Sequence, residues 1–218
     1  GSFVDLLHRL RTNTMTDKDI AMIQETSKNT LTNDSGIVPT VLYCRNMDVD
    51  TMNNRELAKL KGESVVFEAT ESYKDDECRA QHEKNFTYPM KLELKVGAQV
   101  MLIKNLDVEG GLVNGSRGVV TSLDKKQVKV KFVNGIEMVI PASAQEVEHK
   151  SNVIASRSQV PLRLAYALTI HKAQGLSIDC LHVDLRGAFT HGQAYVALSR
   201  ATNFDSLRVT NFSKKGVI

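Results

Sequence analysis

At 218 residues, with 42% hydrophobic and 24% charged side chains, the chain can form one large domain or two small ones with a proper core. No apolar run approaches the roughly 18 residues of a membrane-spanning helix, and no basic-then-apolar leader opens the chain, so neither membrane nor secretion is expected. The net charge of +3 does not by itself demand a nucleic-acid partner. Cys44, Cys78 and Cys180 lie far apart without metal-ligand spacing, which excludes a zinc or disulfide framework and fits reduced thiols inside a cell.

In chain order, Gly1-Ser2 reads as a cloning scar. Phe3, Leu6, Leu7 and Leu10 recur at helical spacing, and a second helix is predicted from Asp17 to Thr26 behind the capping residue Thr16. Val38 to Cys44 reads as a buried strand and Asp48 to Leu60 as a helix, together a βα unit of an α/β layer. The polar stretch Thr70 to Asn85 is expected to be a mobile loop.

Past Pro89 the pattern changes to short strands: Leu92 to Ile103, Gly118 to Leu123, Val128 to Val133 and Ile136 to Ile140. Asn134-Gly135 between two alternating runs is a strong hairpin signal, because both turn positions favour positive φ. A small barrel over residues 89–150 is expected. Helix and strand alternation then returns: a helix through Lys172, a strand from Ile178 to Leu185, a helix through Arg200 and a strand from Leu207 to Asn211. The simplest architecture is a β-barrel inserted into an α/β domain whose two parts are residues 1–88 and 151–218.

Charge is unevenly distributed. From Ser116 to Lys131 five bases, Arg117, Lys125, Lys126, Lys129 and Lys131, face Asp124 alone, and Lys150, Arg157, Arg163 and Lys172 form a stretch without acids. Such runs are ordinarily solvated surface, but their place beside the motifs below favours contact with phosphate.

Two segments carry the chemistry: Thr169-Ile170-His171-Lys172-Ala173-Gln174-Gly175, and Gly192 to Ala201 with the string Gln193-Ala194-Tyr195-Val196-Ala197-Leu198-Ser199-Arg200. An arginine stabilises the charge that builds on a γ-phosphate during phosphoryl transfer, and Arg200 has the small neighbours Ala197, Ser199 and Ala201 that permit close approach. The competing reading is a cation placed at a helix C-terminus by the dipole. Gln193 can bond to a nucleotide or to Gln174, and Tyr195 either joins it or packs in the core. Thr169 offers a hydroxyl and His171 a planar ring that suits a single-stranded backbone. Lys172 can neutralise a phosphate or simply be solvated, and Gln174-Gly175 combines an amide with a residue that allows close backbone approach. Asn114-Gly115-Ser116-Arg117-Gly118 combines two glycines with polar donors at a strand mouth, which on its own reads as a plain tight loop. His182 reads as a satisfied core histidine.

Four blocks in order and spacing make the chain resemble the C-terminal half of a superfamily 1B DNA helicase of the petite integration frequency family, related to RecD. They are Phe3 to Arg11, Leu92 to Leu102 with Gly111 to Gly118, and the two segments above. The resemblance implies a second RecA-like parallel-sheet motor domain carrying an inserted barrel of the Src-homology type, in an ATP-dependent helicase that unwinds DNA with 5′-to-3′ polarity. It implies Arg200 as the catalytic arginine, and Gln174, Gly175, Gln193 and Arg200 at ATP. It also implies Thr169, His171, Lys172, Asn114 and Arg117 at single-stranded DNA.

No phosphate loop ending in Gly-Lys-Ser or Gly-Lys-Thr and no magnesium-binding acidic pair occurs, since Leu185 and Arg186 follow Asp184. ATP and Mg2+ are therefore expected as cofactors of a longer protein, with an N-terminal RecA-like domain and single-stranded, forked or structured DNA as partners, and this half alone is expected to be inactive. The location expected is intracellular, the nucleus or mitochondrion in a eukaryote. Alternatives are a freestanding nucleic-acid-binding or partner-binding module indifferent to ATP, or a RecD-type exonuclease subunit.

Overall fold

The computed structural model describes residues 2–31, 36–188 and 191–213, without the side chain of His191. Two compact units emerge, one made of residues 1–56 and 165–218 and the other of residues 57–164.

The first unit opens with α1 (Phe3–Arg11) and α2 (Asp17–Glu25), each started by a capping box. Ser2, read from the sequence as part of a scar, caps α1: Asp5 N donates to its Oγ at 3.2 Å, and Ser2 N donates to Asp5 Oδ2 at 2.9 Å. Gly1 lies outside the described residues. Thr16 and Asp19 repeat the box on α2, where Asp19 also takes a two-pronged ion pair from Arg9 at 2.9 and 2.6 Å. The Arg9 guanidinium holds the Asp19 carboxyl well below the usual carboxylate range, against the opposing effect of burial. The helices bury Leu6, Leu10, Ile20 and Ile23, the apolar positions of their 3.6-residue period. Strand β1 (Thr40–Tyr43) and α3 (Asn46–Lys59) follow, as the βα pattern predicts.

The second unit begins in the last turn of α3, at Leu57. It contains β2 (Val65–Glu68), β3 (Thr70–Tyr73), α4 (Asp76–His82), β4 (Lys91–Leu94), β5 (Gln99–Leu102), β6 (Arg117–Leu123), β7 (Val128–Phe132), β8 (Glu137–Ile140), β9 (Ser143–His149), β10 (Asn152–Gln159) and β11 (Leu162–Leu164). A five-stranded antiparallel sheet runs β11-β5-β6-β7-β8, beside a three-stranded sheet β3-β10-β9 and a β2-β4 pair. The expected hairpin at Asn134-Gly135 joins β7 to β8.

One expectation fails in this unit. Thr70 to Asn85 is not a loop: β3 pairs antiparallel with β10, and Asp75 caps α4 by accepting from Cys78 N at 2.7 Å. Its polar sequence alternates along an edge strand and a short helix, where Cys78, with Tyr73 and the following Phe86, anchors the apolar side against Ala155. The compact unit runs over residues 57–164, and in it Leu57, Phe67, Val160 and Leu162 share one apolar core with Leu94, Val100, Leu102, Val130 and Ile140. The short apolar runs on either side carry too few residues to reveal which core they join.

The chain then completes the first unit with β12 (Ala167–Thr169), β13 (Leu181–Asp184), α5 (His191–Leu198) and β14 (Leu207–Thr210). These strands and β1 form a parallel sheet in the order β12-β1-β13-β14. Leu42, Leu181 and Leu207 are fully buried in it, the near-continuous apolar character of parallel strands covered on both faces. Against expectation no helix runs to Lys172. Ala167 to Thr169 extends beside β1, and residues 170–175 form consecutive turns. The run Ala165 to Ile170 is apolar without period, and burial beside β1 decides it as strand. Among the described residues no helix is long and apolar enough to cross a membrane.

Candidate nucleotide and nucleic-acid site

The carboxyl ends of parallel strands are where open α/β sheets place ligands, and the first predicted segment lies there. Thr169 ends β12, opposite Tyr43 of β1, and is 7% exposed. Its edge position is fixed from α3: the Asn53 side-chain amide donates to Ala167 O at 3.1 Å and accepts from Ala167 N at 2.9 Å, in place of a missing neighbouring strand. Ile170 N continues the ladder to Tyr43 O at 3.0 Å.

Beyond Thr169 the chain folds back on itself. Thr169 Oγ1 accepts from Lys172 N at 3.2 Å and Thr169 O from Ala173 N at 3.1 Å, while Gln174 N donates to His171 O at 3.2 Å. Ala173 is fully buried, whereas His171, Lys172 and Gln174 are exposed. The turn thus anchors on an alanine and presents an imidazole, an ammonium and an amide. Gly175 has φ +82°, and a Cβ there would meet nothing within 4 Å. Glycine suits the positive backbone angle that ends the turn.

Thr169, His171 and Lys172, with Cys44 and Asn46 after β1, line an open concavity of about 360 Å³. The chain's sequence motifs did not single out Cys44 and Asn46; the signal was their position just after the first strand of a βα unit. Burial, then the Asp184 charge, pushes the Cys44 thiol pKa up, so it stays protonated at neutral pH. Next along the sheet, Asp184 accepts from Arg186 N at 2.9 Å and from Asn211 Nδ2 at 2.7 Å.

The second segment backs onto the first. Arg200 lies in the turn just after α5 rather than in its last helical turn. Its Nε donates to Val196 O at 2.9 Å, its Nη2 to Ser199 Oγ at 2.9 Å and its Nη1 to Leu176 O at 3.2 Å. The main chain repeats the link, with Ile178 N donating to Arg200 O at 2.8 Å. Gln193 and Tyr195 are half-buried on α5, whose Ala194, Ala197 and Leu198 are fully buried. His182 donates or accepts at Thr210 Oγ1, 2.9 Å away, and burial, then Arg208, lowers its pKa, which leaves it neutral at pH 7.

Asn114 and Arg117 belong to the other unit. Asn114 is exposed, its N–H donating to Asn105 Oδ1 at 2.8 Å. Arg117 is 4% exposed at the start of β6, so its guanidinium does not offer a surface to a strand. Of the acid-free basic stretch, Arg157 is likewise no phosphate ligand: it is buried, paired with Glu71, and donates to Tyr88 O at 2.8 Å and Glu83 O at 2.9 Å. Its partners lie some seventy or more positions away in sequence, beyond the reach of local charge counting. Among the described residues no group of three His, Cys, Asp or Glu is placed to hold a metal ion.

The family described as the 2B domain of DNA helicase Pif1 matches residues 83–123. Proteins named ATP-dependent DNA helicase PIF1 from Xenopus laevis and Homo sapiens are 40% and 39% identical over 219 residues, covering 99% of this chain and 34% of each relative. The chain therefore spans about a third of the length of these relatives. The crystal structure of Pif1 helicase from Candida albicans superposes with a TM-score of 0.79 at 35% identity, over 99% of this chain and 54% of that one. Bacteroides Pif1 in complex with ADP-AlF3 and ssDNA gives 0.68 at 26%, over 99% and 50%. Alike in sequence and in fold over nearly its whole length, the chain belongs to the Pif1 helicase family.

Proposed function

We propose that the chain is the second motor half of an ATP-dependent 5′-to-3′ DNA helicase: a RecA-like parallel-sheet domain with an inserted small barrel, built on the five-stranded antiparallel sheet. The observation that carries this reading is the turn after β12, which exposes His171, Lys172 and Gln174 at the carboxyl edge of the sheet while Arg200 touches its far end. Thr169, His171 and Lys172 hold a single strand by hydrogen bonding, stacking and charge, and Asn114 is a separate candidate for contact with DNA. Arg200, together with Gln174, Gly175 and Gln193, stabilises charge on the γ-phosphate of ATP bound chiefly by a first RecA-like domain. That domain also supplies the phosphate loop and the magnesium ligands, so the chain alone turns over no ATP. Complexes of Bacteroides Pif1 with ADP-AlF3 and ssDNA support both ligands.

The test is titration of labelled oligothymidine with the chain at several salt concentrations, alone and mixed with a first motor domain, together with ATPase assays. Salt-sensitive binding, and ATPase activity that appears only in the mixture and vanishes with Arg200→Ala, are expected. Binding indifferent to nucleotide, with no ATPase in the mixture, would instead favour a freestanding binding module.

A further inference from the structure

Arg200 presents its outer edge, Nη1 and Nη2, to Leu176 O and Ser199 Oγ, and its inner Nε to Val196 O. A two-pronged grip on a phosphate uses one edge of the same fork, so the nucleotide and these internal acceptors compete for it. Leu176 follows Gly175, and its own N–H closes the turn on Ala173 O at 3.0 Å. The near end of the turn is fixed by Thr169, whose strand is held by Asn53 and Tyr43. Residues 171–175 thus run, anchored on Ala173, between a strand that cannot shift without breaking the sheet and a far end held by the Arg200 guanidinium at Leu176 O and by the main-chain bond from Ile178 N to Arg200 O.

We infer that Arg200 is, besides its role at the phosphate, a positioning residue for the DNA grip. In the nucleotide-free chain its guanidinium clasps the Leu176 carbonyl and holds the turn bearing His171, Lys172 and Gln174; engagement by a phosphate releases the clasp and loosens the turn. Because one side chain serves both acceptors, nucleotide and DNA are coupled reciprocally. This deepens the functional reading above and rests on it for the identity of the two ligands, but the clasp itself does not.

Hydrogen exchange by mass spectrometry on the nucleotide-free chain tests it, comparing wild type with Arg200→Gln, Arg200→Lys and Ser199→Ala. Arg200→Gln, too short to reach Leu176 O, should speed exchange in peptides covering residues 173–178 by about tenfold or more, leaving β14 as it was. Arg200→Lys, with one point-like donor group, should fall between. Ser199→Ala, which leaves Nη1 on Leu176, should match wild type. A role confined to phosphate leaves the four proteins alike without nucleotide, and that result overturns the clasp. Should Arg200→Gln unfold, the other two decide: Lys faster than wild type with Ser199→Ala unchanged supports the clasp, and both unchanged refutes it. A parallel oligothymidine titration separates the two ideas. Expected exchange without any DNA binding by wild type removes the DNA reading and keeps the clasp, whereas binding with unchanged exchange does the reverse.

Discussion

In the parallel-sheet unit β1 and β12 bury nearly every residue, so polar groups gather where strands end: Thr169, Cys44 and Asp184 at the carboxyl edge. In the other unit β7 alternates, with Val128, Val130 and Phe132 inward and Lys129 and Lys131 outward. A strand sealed on both faces has no room for chemistry along its length, and an antiparallel strand with one wet face does. Candidate ligand contacts therefore sit in turns after strands in one unit, and on a loop and an open face in the other. Mutations should divide along the same line.

The largest effect belongs to the sealed sheet. Leu42→Ala, at a fully buried site in a central strand, should cost about 3–4 kcal/mol in denaturant melts, whereas Lys131→Ala on the open face of β7 should stay within about 0.5 kcal/mol. Equal costs would break the contrast. Gly118→Ala comes next: a Cβ would stand 2.6 Å from Lys131 O and from Val130 Cγ1. Backbone cannot step aside as a side-chain tip can, so a loss of about 2–3 kcal/mol is expected. Gly175→Ala meets no atom and only the positive φ, so about 1 kcal/mol is expected.

Asp19→Ala removes the ion pair with Arg9 and the capping box on α2 and should cost about 2 kcal/mol. Its pH dependence has a definite sign. The folded carboxyl titrates below its unfolded value, so its contribution is fully present above about pH 4 and is lost as pH falls toward the folded pKa. An acid melt of the variant should be flatter than that of wild type in this range, and parallel curves would remove the pair from the account. The smallest change is in binding. Lys172→Ala should lower the salt slope of oligothymidine affinity by about one, with stability unchanged; an unaltered slope would return Lys172 to plain solvated surface.

Legibility followed the range of the forces involved. Caps at Thr16, the Asn134-Gly135 hairpin and the βα unit around β1 are local, and they were readable from neighbouring residues. Arg117 and Arg157 were misread because charge along the chain says nothing of depth, and the partners that bury Arg157 come from remote segments. The segment before Lys172 was misread as helix because an apolar run without period carries no geometry of its own until a neighbouring strand supplies it.

By itself, the sequence determined the family, because the order and spacing of the motif blocks are written in covalent connectivity, and it singled out Thr169 to Gly175 and Arg200 as candidates. Tertiary structure alone decided that Thr169 to Gly175 is a strand end and turn, that Asn53 holds its edge, and that Arg200 reaches Leu176. Those choices depend on hydrogen bonds and burial between residues tens to more than a hundred positions apart, which settle only when the parallel sheet closes around its core.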